Sequence, residues 1–339
     1  MDRMITINIK PTSPDGKAAV GEYVIYIGDD GQIVQQPVSS TSDTTLYPLM
    51  KEQITMLSRQ GHQRTAETYQ ATLRSMQRFM QGTDIPLSLI DCSFMQRYED
   101  HLKARRLKRN TISFYMRVLR AVYNKAVSSG LTEDRKPFRT VYTGIGKTSK
   151  RAISLVDLRV IHTCVCPTFA LRLARDLFLF SFYTRGMSFI DMAYLKKTDV
   201  KNGMLTYKRR KTGQHLQIRW EPCMQRIVDR YEQFTDGYLL PIIRKRKGRE
   251  RTQYKNKQCA INKQLKRLSR ILHLDSPLSM YVARHSWATI AKEMNIPLSI
   301  ISDGMGHHSL QTTQIYLATI DAEAIDAANK YGAQNERYI

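Results

Sequence analysis

The chain has 339 residues, 42% of them hydrophobic and 24% charged, a balance typical of globular domains and unlike that of fibrous or disordered chains. This length predicts two domains with a small extension. Lys and Arg number 53 against 30 acidic residues, so the formal net charge is +23. Such a charge predicts attraction to a polyanion, nucleic acid above all, and the alternative is a basic surface without a partner.

Hydropathy and cysteine content further limit the class of protein to which this chain can belong. No stretch approaches the roughly 18 uninterrupted apolar residues of a membrane span. The N-terminal sequence MDRMITINIKPTSPDG lacks the apolar core and cleavage site of a signal peptide, so we expect a cytoplasmic protein without membrane contact. Cys164 and Cys166 form a CxC with no second pair at metal-ligand spacing, which predicts free thiols, no metal and no other cofactor.

The first 40 residues differ from the rest in charge and pattern. They carry a net charge of −2, against +8 for residues 41–145 and +17 for residues 146–339. The runs MITINI (4–9) and EYVIYI (22–27) predict two strands of a small β-rich extension, and residues 35–45 predict a polar linker. The negative charge argues against a strong grip on DNA, and favours packing or contact with another protein.

Residues 46–142 have a helical pattern. One helix is predicted over 65–80, with Thr65 as its cap, a second over 91–102, and a third from residue 110 that stops at Gly130. The segment is either an ordinary helix bundle with charged faces or a helical core-binding domain lying on DNA. Under the second interpretation, basic residues on the polar faces contact DNA: Arg74, Arg105, Arg106, Lys108, Arg109, Arg117 and Arg120.

A Gly/Pro/Lys-rich connector (137–152) leads to a third segment, 150–339, that is again mostly helical. Within it, residues 203–220 predict a β-hairpin with its turn at Lys211-Thr212-Gly213. The basic run 244–258 is either a disordered loop or a further DNA contact, through Arg244, Lys245, Arg246 and Lys247. The predicted fold class is therefore mostly α with a small β-sheet.

The order of four motifs in this segment is informative about function. The motifs are YTRGMSFIDMAYLKKTDV (183–200), the KRRKTG turn (208–213), YVARHSWAT (281–289) and MGHHSLQTTQIYL (305–317). Together they resemble the tyrosine recombinase family, also called the phage integrase family, over roughly residues 60–330. The family's catalytic domain carries an Arg, a hairpin Lys, an HxxR box, a Gly-His box and a nucleophilic Tyr, and the chain reproduces this order.

The resemblance implies a catalytic role for four residues. Tyr316 would be the nucleophile that forms a covalent link to the 3′-phosphate of a broken DNA strand. Arg284 would bind the phosphate, since a guanidinium is permanently charged and offers a bidentate fork. Lys211, with Lys208, Arg209 and Arg210 as rivals, would be the general acid to the leaving 5′-oxygen, and His307 would steady the phosphate.

Two positions depart from the family pattern. Ser188 stands where the first Arg is expected, and Arg185, one helical turn earlier, is our candidate to replace it. The HxxR box begins with Tyr281 instead of His, so the proton of Tyr316 passes to His285, to water or to Tyr281. Variant sets of this kind resemble recombinases of mobile elements and invertible promoters in gut anaerobes, which implies a bacterial source.

The resemblance also implies partners. Double-stranded DNA would be held in a clamp, four protomers would pair two sites, and accessory DNA-bending proteins are further candidate partners. The helix predicted beyond Tyr316 packs on its own domain or on a neighbouring protomer. Two other functions remain open at this point: a DNA-binding regulator without cleavage, and a type IB topoisomerase.

Overall fold

The structure, a computed structural model, describes the backbone of residues 3–9, 21–27 and 33–37 and all atoms of residues 44–146, 151–244, 249–307 and 309–314. Contacts divide the chain into two compact units, Met1–Lys147 and Thr148–Ile339. Both are dominated by helices and each contains one small sheet, which confirms the predicted fold class. Tyr316, Lys245, Arg246, Lys247 and the predicted terminal helix lie outside the described residues.

The N-terminal unit begins with an antiparallel sheet of three strands, β1 (Arg3–Ile9), β2 (Gly21–Ile27) and β3 (Ile33–Pro37), in that order. The two predicted strands are confirmed. The predicted linker is wrong over its first residues, because Gln35 and Gln36 pair with Ile25 and Val24 as part of β3. Backbone pairing at a sheet edge does not need apolar side chains, so a polar strand escapes detection by hydrophobic pattern.

Four helices follow: α1 (Leu46–Arg59), α2 (Gln63–Phe79), α3 (Cys92–Ala104) and α4 (Arg109–Ser128). Their apolar faces share one core, which includes the fully buried Met50, Met76, Tyr98, Leu102 and Met116. Thr65 is not a cap, since α2 starts two residues earlier, directly after Gly61 and His62. Gly61 has φ +80°, and this left-handed turn lets the helix begin sooner than the capping pattern suggests.

The predicted connector is partly fixed to the N-terminal unit. Glu99 accepts the Tyr142 backbone N–H at 3.0 Å, and the Asn110 amide bonds both the N–H and the carbonyl of Gly146, at 2.8 and 3.0 Å. Ser113 donates to the carbonyl of Gly144. Residues 142–146 are therefore anchored to α3 and α4.

The C-terminal unit contains α5 (Leu155–Thr163), α6 (Phe169–Tyr183), α7 (Phe189–Tyr194), α8 (Pro222–Tyr231), α9 (Glu250–Ile271), α10 (Met280–Glu293) and α11 (Leu298–Met305). Helix α6 is buried around most of its circumference and packs against α9 and α10. It is the central helix of a core that the other helices cover.

A small antiparallel sheet flanks this helical core. It consists of β4 (Val200–Lys201), β5 (Met204–Lys208) and β6 (His215–Arg219). The β5–β6 pair is the predicted hairpin, and β4 was not predicted because it is only two residues long. The basic run is not a loop throughout, because α9 begins at Glu250; buried Ile261, Leu265 and Leu268 attach that helix to the core. Among the helices of the described residues, none is both long and apolar enough to cross a bilayer.

Candidate active site

A buried guanidinium lies at the centre of the C-terminal unit. Arg284, on α10, is 5% exposed. It donates to the carbonyl oxygens of Gly186 and Met305, each at 2.7 Å, and its third contact is with His307 Nε2 at 2.9 Å. Arg284 therefore contacts three places: Gly186 in the turn before α7, Met305 at the end of α11, and His307, which follows Gly306.

Two glycines make this close assembly possible. Gly186 has φ +71°, and a Cβ placed there would lie 2.7 Å from the Cα of Arg284. Gly306 ends α11 with φ +66°, and its Cβ would lie 2.9 Å from Leu216 on the hairpin. Because L-residues rarely adopt this backbone conformation, both positions favour glycine, and at Gly186 the backbone of Arg284 also leaves no space for a side chain.

His307 is almost completely buried in a positively charged surrounding. A guanidinium has N–H donors and no acceptor, so Nε2 of His307 must accept from Arg284 and the ring proton is on Nδ1. Nδ1 then donates to the hydroxyl of Thr313 at 2.7 Å. Burial, together with the charges of Arg284, Arg209 and Lys211, lowers the pKa of His307 to about 4. The imidazole is therefore neutral at pH 7.

The hairpin brings two cations to this pocket. Arg209 is 6% exposed and donates to the carbonyl of Gly306. Its backbone closes the turn by a bond to Gln214 O at 2.8 Å. Lys211 is exposed in the same turn, close enough for its charge to lower the pKa of His307. The charge of the predicted Lys211 therefore reaches His307, and the buried Arg209, one of its rivals in the sequence, contacts the neighbouring Gly306.

The two residues considered for the family's first Arg have different roles. The Ser188 hydroxyl caps α7, accepting from the Asp191 N–H at 3.4 Å and donating to the Asp191 carboxylate at 2.7 Å. Arg185 has φ +59° and is half-buried. Burial, above all, raises the pKa of Tyr207, and the cations Arg284, Arg209 and Arg185 oppose that rise. The three guanidiniums are therefore all close enough to Tyr207 to affect its pKa.

Tyr281 and His285 form a pair one helical turn apart on α10. Their rings meet edge to face, with centroids 4.5 Å apart and planes at 86°. Tyr281 is 54% exposed, whereas His285 is buried. An exposed phenol over a buried imidazole is consistent with a role in proton transfer, which stays a prediction for both residues.

Most of the predicted DNA contacts are exposed, namely Arg74, Arg105, Arg106, Lys108, Arg109, Arg120 and Arg244, whereas Arg117 is half-buried. Two of them also hold the connector. The Arg109 guanidinium lies 3.8 Å from the centroid of the Tyr142 ring, and Arg120 donates to the Thr143 hydroxyl at 3.1 Å. Their charge therefore contributes to a folded contact as well as to the surface potential.

Comparison with known proteins assigns the family. The profile of the phage integrase SAM-like domain matches residues 45–141, and that of the phage integrase family matches residues 176–323. A curated relative, the tyrosine recombinase XerC of Pediococcus pentosaceus, is 23% identical over 84% of this chain and 97% of its own. The chain belongs to the phage integrase family of tyrosine recombinases. Family membership makes it a site-specific DNA recombinase.

Solved structures share the fold of this recombinase. A lambda integrase dimer bound to a COC′ core site matches with a TM-score of 0.62 at 15% identity, over 87% of this chain and 91% of the other. A lambda integrase tetramer bound to a Holliday junction matches with a TM-score of 0.62 at 14% identity, over 87% and 92%. At such identities the likeness establishes the fold and leaves the role of each side chain to its geometry.

The depressed pKa of His307 predicts a pH dependence of stability. An unfolded histidine has a pKa of about 6.5, so between pH 6.5 and 4 the unfolded recombinase binds a proton here that the folded protein does not. The free energy of unfolding therefore falls as the pH is lowered through this window. Urea denaturation of the wild type and of His307→Gln should show the stability difference between them shrinking on acidification. Parallel pH profiles for the two proteins would contradict the assignment.

Proposed function

We propose that Tyr316 attacks a phosphodiester of duplex DNA at phosphorus. The bond from the tyrosine oxygen to phosphorus forms, the bond from phosphorus to the 5′-oxygen breaks, and a 3′-phosphotyrosine and a free 5′-hydroxyl result. A 5′-hydroxyl of a second strand then reverses the step, so strands are exchanged without loss of bond energy. The observation that carries this proposal is a buried pocket, in the unit that bears Tyr316, where the cations Arg284 and Arg209 lie with the neutral His307.

The phosphate is bound first by Arg284. Three of its five N–H groups have acceptors among the described residues, and the other two can be donated to non-bridging oxygens. Positive groups held in a buried place stabilise the charge that develops on these oxygens in the transition state. Protonation of His307 at Nε2 would end its acceptance from Arg284 and let Nε2 donate to the phosphate, and the arriving anion favours this by raising the pKa of the imidazole.

Proton transfer uses groups at the edge of the pocket. Lys211, exposed on the hairpin turn, is our candidate to protonate the leaving 5′-oxygen. Tyr281 and His285 are the candidates to receive the proton of Tyr316, whose phenol has a pKa of about 10 when unperturbed. Arg185 supplies the charge that the family's first Arg would provide, since Ser188 is occupied in capping α7.

The same proposal extends to assembly. We infer that residues 46–142 are a core-binding domain and residues 150–339 a catalytic domain, that each contacts duplex DNA, and that residues 1–40 are a separate extension. Four protomers would pair two sites, as in the lambda integrase tetramer on a Holliday junction. Accessory DNA-bending proteins are further proposed partners, and the bacterial cytoplasm, where the DNA is, is the proposed location.

Trapping of the covalent intermediate tests the nucleophile. Nicked suicide duplexes taken from the DNA that flanks the gene should give a protein–DNA adduct on denaturing gels with the wild type. Tyr316→Phe should give none while retaining DNA affinity, because only the phenol oxygen is removed. Tyr331→Phe, which changes the next tyrosine along the chain, should form the adduct at the wild-type rate. An undiminished adduct with Tyr316→Phe would refute the proposal, and no wild-type adduct with retained binding would favour a regulator.

A matched pair of variants tests whether Arg185 or Ser188 takes the role of the family's first Arg. Arg185→Gln keeps a polar side chain but removes the charge, and should lower the single-turnover cleavage rate by roughly 100- to 1000-fold. Ser188→Ala should cost about 1 kcal/mol of stability through the lost cap, with cleavage within a few fold of the wild type. The opposite order of the two cleavage rates would assign the role to Ser188.

A further inference from the structure

A buried threonine contacts the pocket from the segment that leads to the nucleophile. Thr313 is fully buried, with 0% of its surface exposed, and its hydroxyl lies 2.7 Å from His307 Nδ1. Residues 310–314 are helical. The neighbouring Thr312 is exposed, so two adjacent threonines of one motif occupy opposite environments.

The direction of this hydrogen bond follows from the other side of the ring. Arg284 can only donate, so Nε2 of His307 accepts from it and Nδ1 carries the proton. The Thr313 oxygen is therefore the acceptor of the Nδ1 proton. If His307 gains a second proton, that proton goes to Nε2, and the bond to Thr313 persists unchanged. Thr313 thus suits both protonation states of the imidazole.

We infer that Thr313 is a positioning residue for strand cleavage. Its hydroxyl accepts the Nδ1 proton that the contact with Arg284 requires and so fixes the ring plane of His307, with Nε2 directed at Arg284 and at the place proposed for the phosphate. The same bond attaches the helical residues 310–314 to the pocket. Thr313 itself is three residues before Tyr316 in the sequence. Because a β-branched side chain has few rotamers, the bond holds both partners closely. This inference rests on the proposed roles of His307 and Tyr316.

Single-turnover cleavage of the suicide duplex by the full chain tests the inference. Thr313→Val keeps the shape but removes the acceptor, and leaves a buried N–H without a partner. Adduct formation should slow by roughly 10- to 100-fold, while DNA affinity stays unchanged. Thr313→Ser should restore most of the rate, and Thr312→Val should match the wild type. A Thr313→Val variant that cleaves at the wild-type rate would overturn the inference.

A double-mutant cycle separates positioning from a merely structural effect. If Thr313 acts through His307, Thr313→Val should add little to the loss already caused by His307→Ala. Equal slowing by Thr313→Val in both backgrounds would mean that the threonine only supports the fold, and the inference would fail.

A spectroscopic measurement tests the hydrogen bond between His307 and Thr313 even if cleavage is lost for another reason. The ¹⁵N shifts of the His307 ring in the DNA-free protein should report a proton on Nδ1 and a bare Nε2 near pH 7. Thr313→Ser should keep this hydrogen-bonded Nδ1–H, whereas Thr313→Val, or Thr313→Ala if the valine variant does not fold, should move the signal of the Nδ1 proton upfield because that proton loses its acceptor. Nε2–H as the main tautomer of the wild type would contradict the inference. Failure of Tyr316 as nucleophile would instead appear as an adduct that survives Tyr316→Phe.

Discussion

The contacts of the Arg284 guanidinium determine how the C-terminal unit is built around it. A buried charge that lacks partners destabilises a protein by several kcal/mol, so each of its contacts constrains the chain around it. The acceptors come from two segments far apart in the sequence, one at Gly186 and the other at Met305 and His307. The glycine at 186 follows from this constraint, because a side chain there would collide with the backbone of Arg284 on α10.

The same arrangement explains the electrostatics of the pocket. Burial, together with the charges of Arg284, Arg209 and Lys211, lowers the pKa of His307 and keeps it neutral, so the pocket has an excess of positive charge that the proposed phosphate would balance. Packing of the core formed by α6, α9 and α10 provides the free energy that keeps these like charges close together. The donors therefore need little reorganisation when charge develops on the phosphate oxygens.

Sequence patterns predicted those features that depend on local periodicity or on motif order. The mostly helical fold class, the β5–β6 hairpin, and the nearness of Arg284, His307 and Lys211 belong to this group. The third strand of the first sheet and the early start of α2 were missed, because a polar edge strand and a glycine-directed helix start leave little hydrophobic pattern. Arg209 was ranked behind Lys211, although it follows Leu205 and Tyr207 at the two-residue spacing of buried positions on β5.

Other features depend on tertiary contacts that no local pattern encodes. Ser188 is a helix cap, and only the bond to Asp191 reveals this. Arg109 and Arg120 were expected to contact DNA, yet both also hold the connector at Tyr142 and Thr143. Thr313 belongs to the quoted motif, but its partner His307 could not be assigned from spacing alone. In each case the side-chain type fits several roles, and the neighbour decides between them.

We infer that the planar fork of Arg284, and not its charge alone, organises the pocket and binds the phosphate. Arg284→Lys keeps the charge but cannot contact Gly186, Met305 and His307 with a planar group. We predict that its single-turnover cleavage of a suicide duplex falls by roughly 100-fold or more, while DNA affinity and the folded state persist. Cleavage by Arg284→Lys at the wild-type rate would contradict the account.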